Sequence, residues 1–204
     1  MSKTLATVSM GCGCAPEIKK LFSYVTEWEP DLDYDAILFE GGSDIDPSLY
    51  NSKNIATYSQ GQSKRDRIEA AIMQDAIDKK ALIIGICRGA QLACALAGGK
   101  LVQDVNGHQG HHTIETYMGN TFDVSSVHHQ QMYPWDVEHT ILAWSKTQQS
   151  NHFIGDSLNL QKHIKEPEAV FFPKINALAF QWHPEWAYTP EELEFTLAEI
   201  AEKL

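Results

Sequence analysis

Basic residues are scarce in this chain. Its 16 Lys and Arg stand against 27 Asp and Glu, a formal charge of −11 over 204 residues. A protein that grips nucleic acid by its phosphates needs a basic face, so this balance argues against that class and leaves room only for a local basic pocket. Long apolar runs are missing too. No stretch reaches the roughly 18 to 20 apolar residues that a membrane span requires. Cysteines number only four, two of them in apolar surroundings, which does not fit a secreted disulfide framework. Repeats, low-complexity tracts and linkers are absent. The opening MSKTLATVSMGCGC has the lysine, mild apolar run and cysteine of a lipoprotein signal, but the run is short, Thr4 and Thr7 break it, and Ser9 sits where leucine is expected. A cytoplasmic location is expected.

What is present suits a globular protein. An apolar share of 43% and a charged share of 21% are ordinary, and the length matches one domain, residues 1–204, with a real core. Three apolar runs, Leu5 to Ser9, Ala36 to Phe39 and Ala81 to Ile86, read as buried parallel strands. Helical spacing predicts helices over Pro16 to about Val25 and Ile68 to Ile77, the second opened by a capping box of Asp66 and Glu69. A third covers Gln91 to Ala97 and stops at Gly98 and Gly99. This alternation indicates an α/β fold with a mostly parallel sheet. The second half is less regular, with β-like runs at Phe122 to Val127, Ile141 to Trp144, Ala169 to Phe172 and Ala177 to Trp182. The end, TPEELEFTLAEIAEKL, predicts a helix capped by Thr189, with Pro190 first and Glu192 closing the box.

The richest segment is ALIIGICRGAQLACALAGG. A buried strand runs into Gly85-Ile86-Cys87-Arg88-Gly89 and a helix starts at once. Such an elbow lifts a nucleophile above a sheet, and its glycines leave room for the turn. A helix N-terminus favours the thiolate of Cys87, and the backbone N–H of Arg88 points to where an oxyanion would form. A buried structural cysteine is the competing reading.

Gln181-Trp182-His183-Pro184-Glu185 follows the apolar run ALAF and so lies at a strand end. Residues two apart in extended chain face one side, and Pro184 favours extension before it. Glu185 can then hold the tautomer of His183 while the other ring nitrogen serves Cys87. A lone histidine is more often structural; a carboxylate on the same face and an elbow cysteine reverse that weighting.

Together GICRGAQ, QWHPE and FEGGSDIDPSLY resemble the class I glutamine amidotransferase superfamily, and most of all its γ-glutamyl-γ-aminobutyrate hydrolase branch, a peptidase family. ICRG and the GG-x-D-x-x-P pattern point to that branch, and the matched segments run from about Asp35 to Glu185. The resemblance implies a three-layer α/β sandwich, flavodoxin-like, around a mostly parallel sheet. It implies Cys87 as nucleophile, His183 as base and Glu185 as its partner, with Gly42 beside Arg88 supplying oxyanion N–H groups. Gln91 would line the γ-glutamyl pocket, and SSVHHQ would contribute His128, His129 and Gln130. No metal or cofactor is implied. Two departures bear on leaving-group specificity: Glu40 replaces a common proline before the glycine pair, and Ser125 replaces an asparagine. A free-standing γ-glutamyl hydrolase is the first expectation. A glutaminase that serves a separate synthetase is the second, and a non-catalytic binding scaffold the third; a homodimer is left open.

Other groups carry weaker signals. Cys12 and Cys14 should lie at the same sheet edge as the nucleophile, in a tight loop; C-x-C is not the usual zinc spacing. Cys94 reads as core. His108, His111 and His112 suggest a metal cluster, but a surface or pocket-lining position is expected for them, in a segment without fixed secondary structure. Arg65 and Asp66 match a family RD pair that helix capping and charge solvation explain equally well.

Overall fold

The computed structural model describes residues 2–8, 15–57, 63–159 and 165–204. The apolar runs of the first half form β1 (Thr4–Val8), β3 (Ala36–Phe39) and β4 (Leu82–Ile86), buried almost throughout. Strands apolar on both faces need cover on both sides. Ala6, Ile37, Phe39 and Ile83 point into one core, closed by α2 (Lys64–Lys79) and α3 (Arg88–Leu96) through Ile72, Met73, Leu92 and Ala93. Leu5, Leu38, Ile84 and Ile86 point into the other, closed by α1 (Pro16–Lys19) and α4 (Pro190–Lys203) through Ile18, Phe195 and Ile200. Alternation along each strand thus produces the expected three-layer α/β sandwich.

Further strands widen the sheet: β2 (Tyr24–Glu27), β7 (Gln109–Thr116), β8 (Thr121–Val127), β10 (Thr140–Ser145), β12 (Pro167–Phe172) and β13 (Ala177–Phe180). The order of the nine is β2-β1-β3-β4-β13-β12-β10-β7-β8. Five strands, from β2 to β13, are mutually parallel. The last four extend them by antiparallel pairing. Parallel order gives way where connections shorten, because a tight turn joins only antiparallel neighbours. Such turns lie between β7 and β8, where Gly119 takes a φ of 84°, and between β12 and β13, through a 3₁₀ turn at Pro173–Ile175. Two small ribbons flank the sheet: β5 (Lys100–Val102) with β9 (Gln131–Tyr133), and β6 (Asp104–Val105) with β11 (Phe153–Ile154). Among the described residues, no helix is long and apolar enough to cross a membrane.

Several local expectations need correction. The helix read over Pro16 to Val25 ends at Lys19, because the carbonyl of Lys3 captures the N–H groups of Ser23 and Tyr24 and draws the chain into edge strand β2. Tyr24 and Val25, read as helical, are exposed there. The capping box of α2 forms between Ser63 and Asp66, one turn before the one expected: Ser63 Oγ accepts the Asp66 N–H at 3.0 Å and Asp66 Oδ2 accepts the Ser63 N–H at 2.9 Å. Thr189 does cap α4, accepting the Glu192 N–H at 3.2 Å, and the Glu192 carboxylate also serves Tyr188 and Ser125. Residues 109–116, expected to be irregular, form β7. Cys94 is core, as expected, and burial pushes its thiol up to about 12. Cys12 and Cys14 lie outside the described residues.

Candidate active site

β4 delivers the chain straight to Cys87, and α3 begins at the next residue. Cys87 adopts φ 49° and ψ −102°, neither helical nor extended. A side-chain-bearing residue held in such a region stores roughly 1–3 kcal/mol, and persists only when its surroundings leave no alternative. They leave none here. A Cβ at Gly85 would sit 2.6 Å from the Gly89 carbonyl carbon, and one at Gly89 would run into the Phe39 carbonyl oxygen. The Cys87 N–H is fixed to the Phe180 carbonyl at 2.7 Å. The strand–turn–helix elbow read from the sequence is therefore present, strained and tightly packed.

Strand register brings the second half of the site to the first. β13 lies beside β4 with Phe180 opposite Ile86, so the residues just past each strand end emerge side by side. Gly41, just past β3, lies between them: a Cβ there would be 2.8 Å from His183 Cε1 and 3.7 Å from Cys87 Cβ. His183 Nδ1 meets Glu185 Oε1 at 2.7 Å. A 3₁₀ turn at Pro184–Trp186 achieves this approach, in place of the extended chain anticipated, and the Trp186 ring stacks on His183 at 4.0 Å.

With Nδ1 committed to Glu185, the tautomer leaves Nε2 for the cysteine, and Nε2 has no other hydrogen-bond partner among the described residues. Burial disfavours charge on His183, but Cys87 and Glu185 outweigh it and raise the imidazole to about 10.

Two groups that sequence reasoning did not assign hold this arrangement. Ser125 Oγ donates to the His183 carbonyl at 2.8 Å, the Ser125 carbonyl accepts the His183 N–H at 3.1 Å, and Glu192 Oε1 lies 3.0 Å from Ser125 Oγ. The serine that departs from the family pattern thus pins the histidine turn to β8. Burial raises the Glu192 carboxyl, partly offset by the Tyr188 N–H and by Ser125.

The second group surrounds Arg88. Its guanidinium is fully buried and paired with Asp66 at 2.6 Å and with Glu69. Glu69 also accepts Arg65 Nε at 2.6 Å, and Arg65 Nη2 donates to the Gly41 carbonyl at 2.9 Å. Arg65 fills the space a Cβ on Gly42 would need, and Gly42 takes a φ of 151° suited to glycine. Asp66 and Glu69, read as a cap, share the buried stripe of α2 with Ile72, Met73 and Ala76. Two acids on an apolar stripe were the available signal.

A cavity of about 340 Å³ opens onto Cys87, bounded by Gly42, Ser43, Asp44, Gln91 and the 127–130 turn. Gln91 Nε2 donates to the Gln130 carbonyl at 2.9 Å, which ties α3 to that turn. His129 lies between Asp44 at 2.9 Å and Asp104 at 3.2 Å, and these partners raise its pKa, Asp44 most. His128 reaches the cavity wall, but its side chain is 1% exposed and its ring enters the interior. His108 and His112 are buried with it, not at the surface or the pocket; His111 alone of the three is exposed, stacked on Tyr188 at 3.7 Å.

Solved structures share this architecture. A Thermoplasma acidophilum protein described as one component of a GMP synthase superposes with a TM-score of 0.66 at 14% identity, covering 99% of this chain and 97% of that one. A Thermotoga maritima glutamine amidotransferase gives 0.60 at 14% identity, covering 100% of this chain and 84% of that one. At such identity the likeness shows the fold alone: the α/β class I glutamine amidotransferase fold. The sequence pattern of the peptidase C26 family matches residues 32–185, and the chain belongs to that family. The glutamine amidotransferase-like protein YvdE of Lactococcus lactis is 29% identical over 172 residues, 81% of this chain and 72% of that protein. A Mycobacterium tuberculosis protein named as a glutamine amidotransferase is 28% identical over 171 residues, 74% of this chain but only 50% of its own length.

Proposed function

We propose that the protein hydrolyses γ-glutamyl amide bonds through a thioester on Cys87. The observation that carries this reading is the strained elbow cysteine facing a histidine whose far nitrogen is already held by a buried carboxylate. The Cys87 thiolate attacks the γ-carbonyl carbon, and the backbone N–H groups of Gly42 and Arg88 receive the oxyanion. The imidazolium of His183 gives its proton to the leaving amine as the C–N bond breaks. Water, deprotonated by His183, then attacks the thioester, releasing glutamate and restoring the Cys87 thiolate beside the His183 imidazolium. Gln91 and the 128–130 turn bound the space for the γ-glutamyl group. The test is glutamate release from glutamine and a panel of γ-glutamyl amines, with Cys87→Ser alongside. Release from one amine, lost in the variant, is expected and would name the leaving group. Turnover that survives in the variant would overturn the reading.

One alternative uses the same chemistry: a glutaminase that passes ammonia to a separate synthetase. Silence across the panel, with glutaminase activity appearing once a synthetase partner is added, would select it.

The raised His183 pKa sets the pH dependence. The leaving amine needs the imidazolium, so kcat/KM is expected to hold into the alkaline range and fall through about 10. The stability drawn from this pairing follows the same proton: it is complete below about 6.5, the pKa of a free histidine, and is lost as pH rises through the folded value. Glu185→Gln removes one of the two groups that raise the pKa. Its basic limb is expected about one pH unit lower or more, read from pH–rate profiles of the two proteins; superimposable limbs would rule out the assignment.

A further inference from the structure

Behind the cavity wall the His128 ring joins a cluster that the hydrolytic chemistry leaves unused. His108, His128 and Glu168, all buried, each offer a donor atom within 4.8 Å of the others. They come from separate segments: the stretch before β7, the turn after β8, and β12. His108 Nδ1 lies 3.2 Å from Glu168 Oε1, and His128 Nε2 lies 3.9 Å from Glu168 Oε2. Yet neither nitrogen of His108, nor His128 Nε2, nor Glu168 Oε2 makes a hydrogen bond among the described residues. A buried polar atom left without an aligned hydrogen bond is costly. Nitrogen and oxygen atoms that crowd together in this way are arranged as ligands are.

Donor type and spacing agree. Glu166 Oε2, the other buried carboxylate, lies 3.6 Å from His108 Nε2. Two imidazoles and a carboxylate are a donor set of the zinc class, and the rings are packed together, His108 and His128 stacked at 4.5 Å and His112 at 5.1 Å from His108. Ligand atoms around tetrahedral zinc, with bonds of about 2.0–2.1 Å, stand roughly 3.3 Å apart, so donors within 4.8 Å of one another need only draw inward to hold an ion. The supports such ligands need are also in place. Glu168 Oε1 is held by His112 Nε2 at 2.9 Å and Ser145 Oγ at 3.1 Å, and His128 Nδ1 by the Gln130 carbonyl at 3.0 Å.

We propose that His108, His128 and Glu168 form a binding site for a divalent transition-metal ion of the zinc class, with His112 and Ser145 orienting the carboxylate. The ion ties β12 to the turn whose Gln130 carbonyl holds Gln91, so it stiffens the cavity wall and takes no part in bond making. The test uses the whole protein carrying Cys87→Ser, which removes a competing thiol, stripped with a chelator and titrated with Co²⁺ and then Zn²⁺. One Co²⁺ per chain is expected, with visible d–d bands and no sulfur charge-transfer band, displaced by Zn²⁺. Saturating Zn²⁺ is expected to raise the Tm by roughly 5 °C. His128→Gln and Glu168→Gln are expected to lose the spectrum, and His111→Ala to keep it. The parent spectrum stands even if a variant fails to fold. Absence of stoichiometric binding in the parent, a sulfur-type band, or unchanged binding in folded His128→Gln would each overturn the site.

Discussion

Cys87→Ala is expected to lower γ-glutamyl hydrolysis at least about 10⁴-fold while the protein stays folded, because residues that act as one catalytic unit fail together. The backbone gives the second half of this expectation. The strain at φ 49° belongs to the turn and not to the sulfur, and alanine carries the same penalty there as cysteine. The packing that enforces the turn is made by Gly85, Gly89 and the Cys87 N–H, all of which the substitution keeps. What is lost is the nucleophile and, with it, one of the groups that raise His183. The variant should therefore unfold near the wild-type Tm and still bind substrate, with its histidine titrating at lower pH. Glutamate release in single-turnover and steady-state assays checks the first part, and calorimetry the second. Activity within ten-fold of wild type would remove Cys87 from the chemistry.

The elbow was legible in the sequence because it is local. A buried strand, a cysteine between glycines and an immediate helix are consecutive, so periodicity alone positions them. His183 and Glu185 were legible for the same reason, although a 3₁₀ turn brings them together where extended chain was expected. Contacts between distant segments were not legible. Asp66 and Glu69 meet a guanidinium that lies 22 and 19 residues along the chain, and nothing in α2 itself names that partner. Glu168 reads as one acid in a β-like run until β7, β8 and β12 are folded against one another. The first residues of edge strand β2, Tyr24 and Val25, were read as the end of a helix because the turn into the strand is fixed by the Lys3 carbonyl, an interaction that three- and four-residue spacing does not report.

Glu69→Gln is expected to cost about 3–5 kcal/mol, the range for removing one partner from a buried ion pair, measured as a shift in the urea midpoint. Glu69 is fully buried between two arginines that act in different places. Through Arg65 it fixes the Gly41 carbonyl, the residue before Gly42; through Arg88 it fixes the residue after Cys87. The two proposed oxyanion donors are thus joined by one carboxylate, and the variant leaves Arg88 with Asp66 alone and takes from Arg65 its carboxylate. Stability and positioning can be separated by removing the charges in balance. Arg65→Met with Glu69→Met takes away one charge of each sign and leaves Arg88 paired with Asp66, so most of the stability should return. Turnover should not return with it. With the Gly41 carbonyl released, kcat is expected to stay about ten-fold or more below wild type, with KM less affected, because a donor aimed at the oxyanion is felt mainly in the transition state. A double variant with both stability and kcat restored would reduce the network to a structural ion pair. A stable but slow one would show that α2, which contributes no atom to the reaction, sets the geometry in which it occurs.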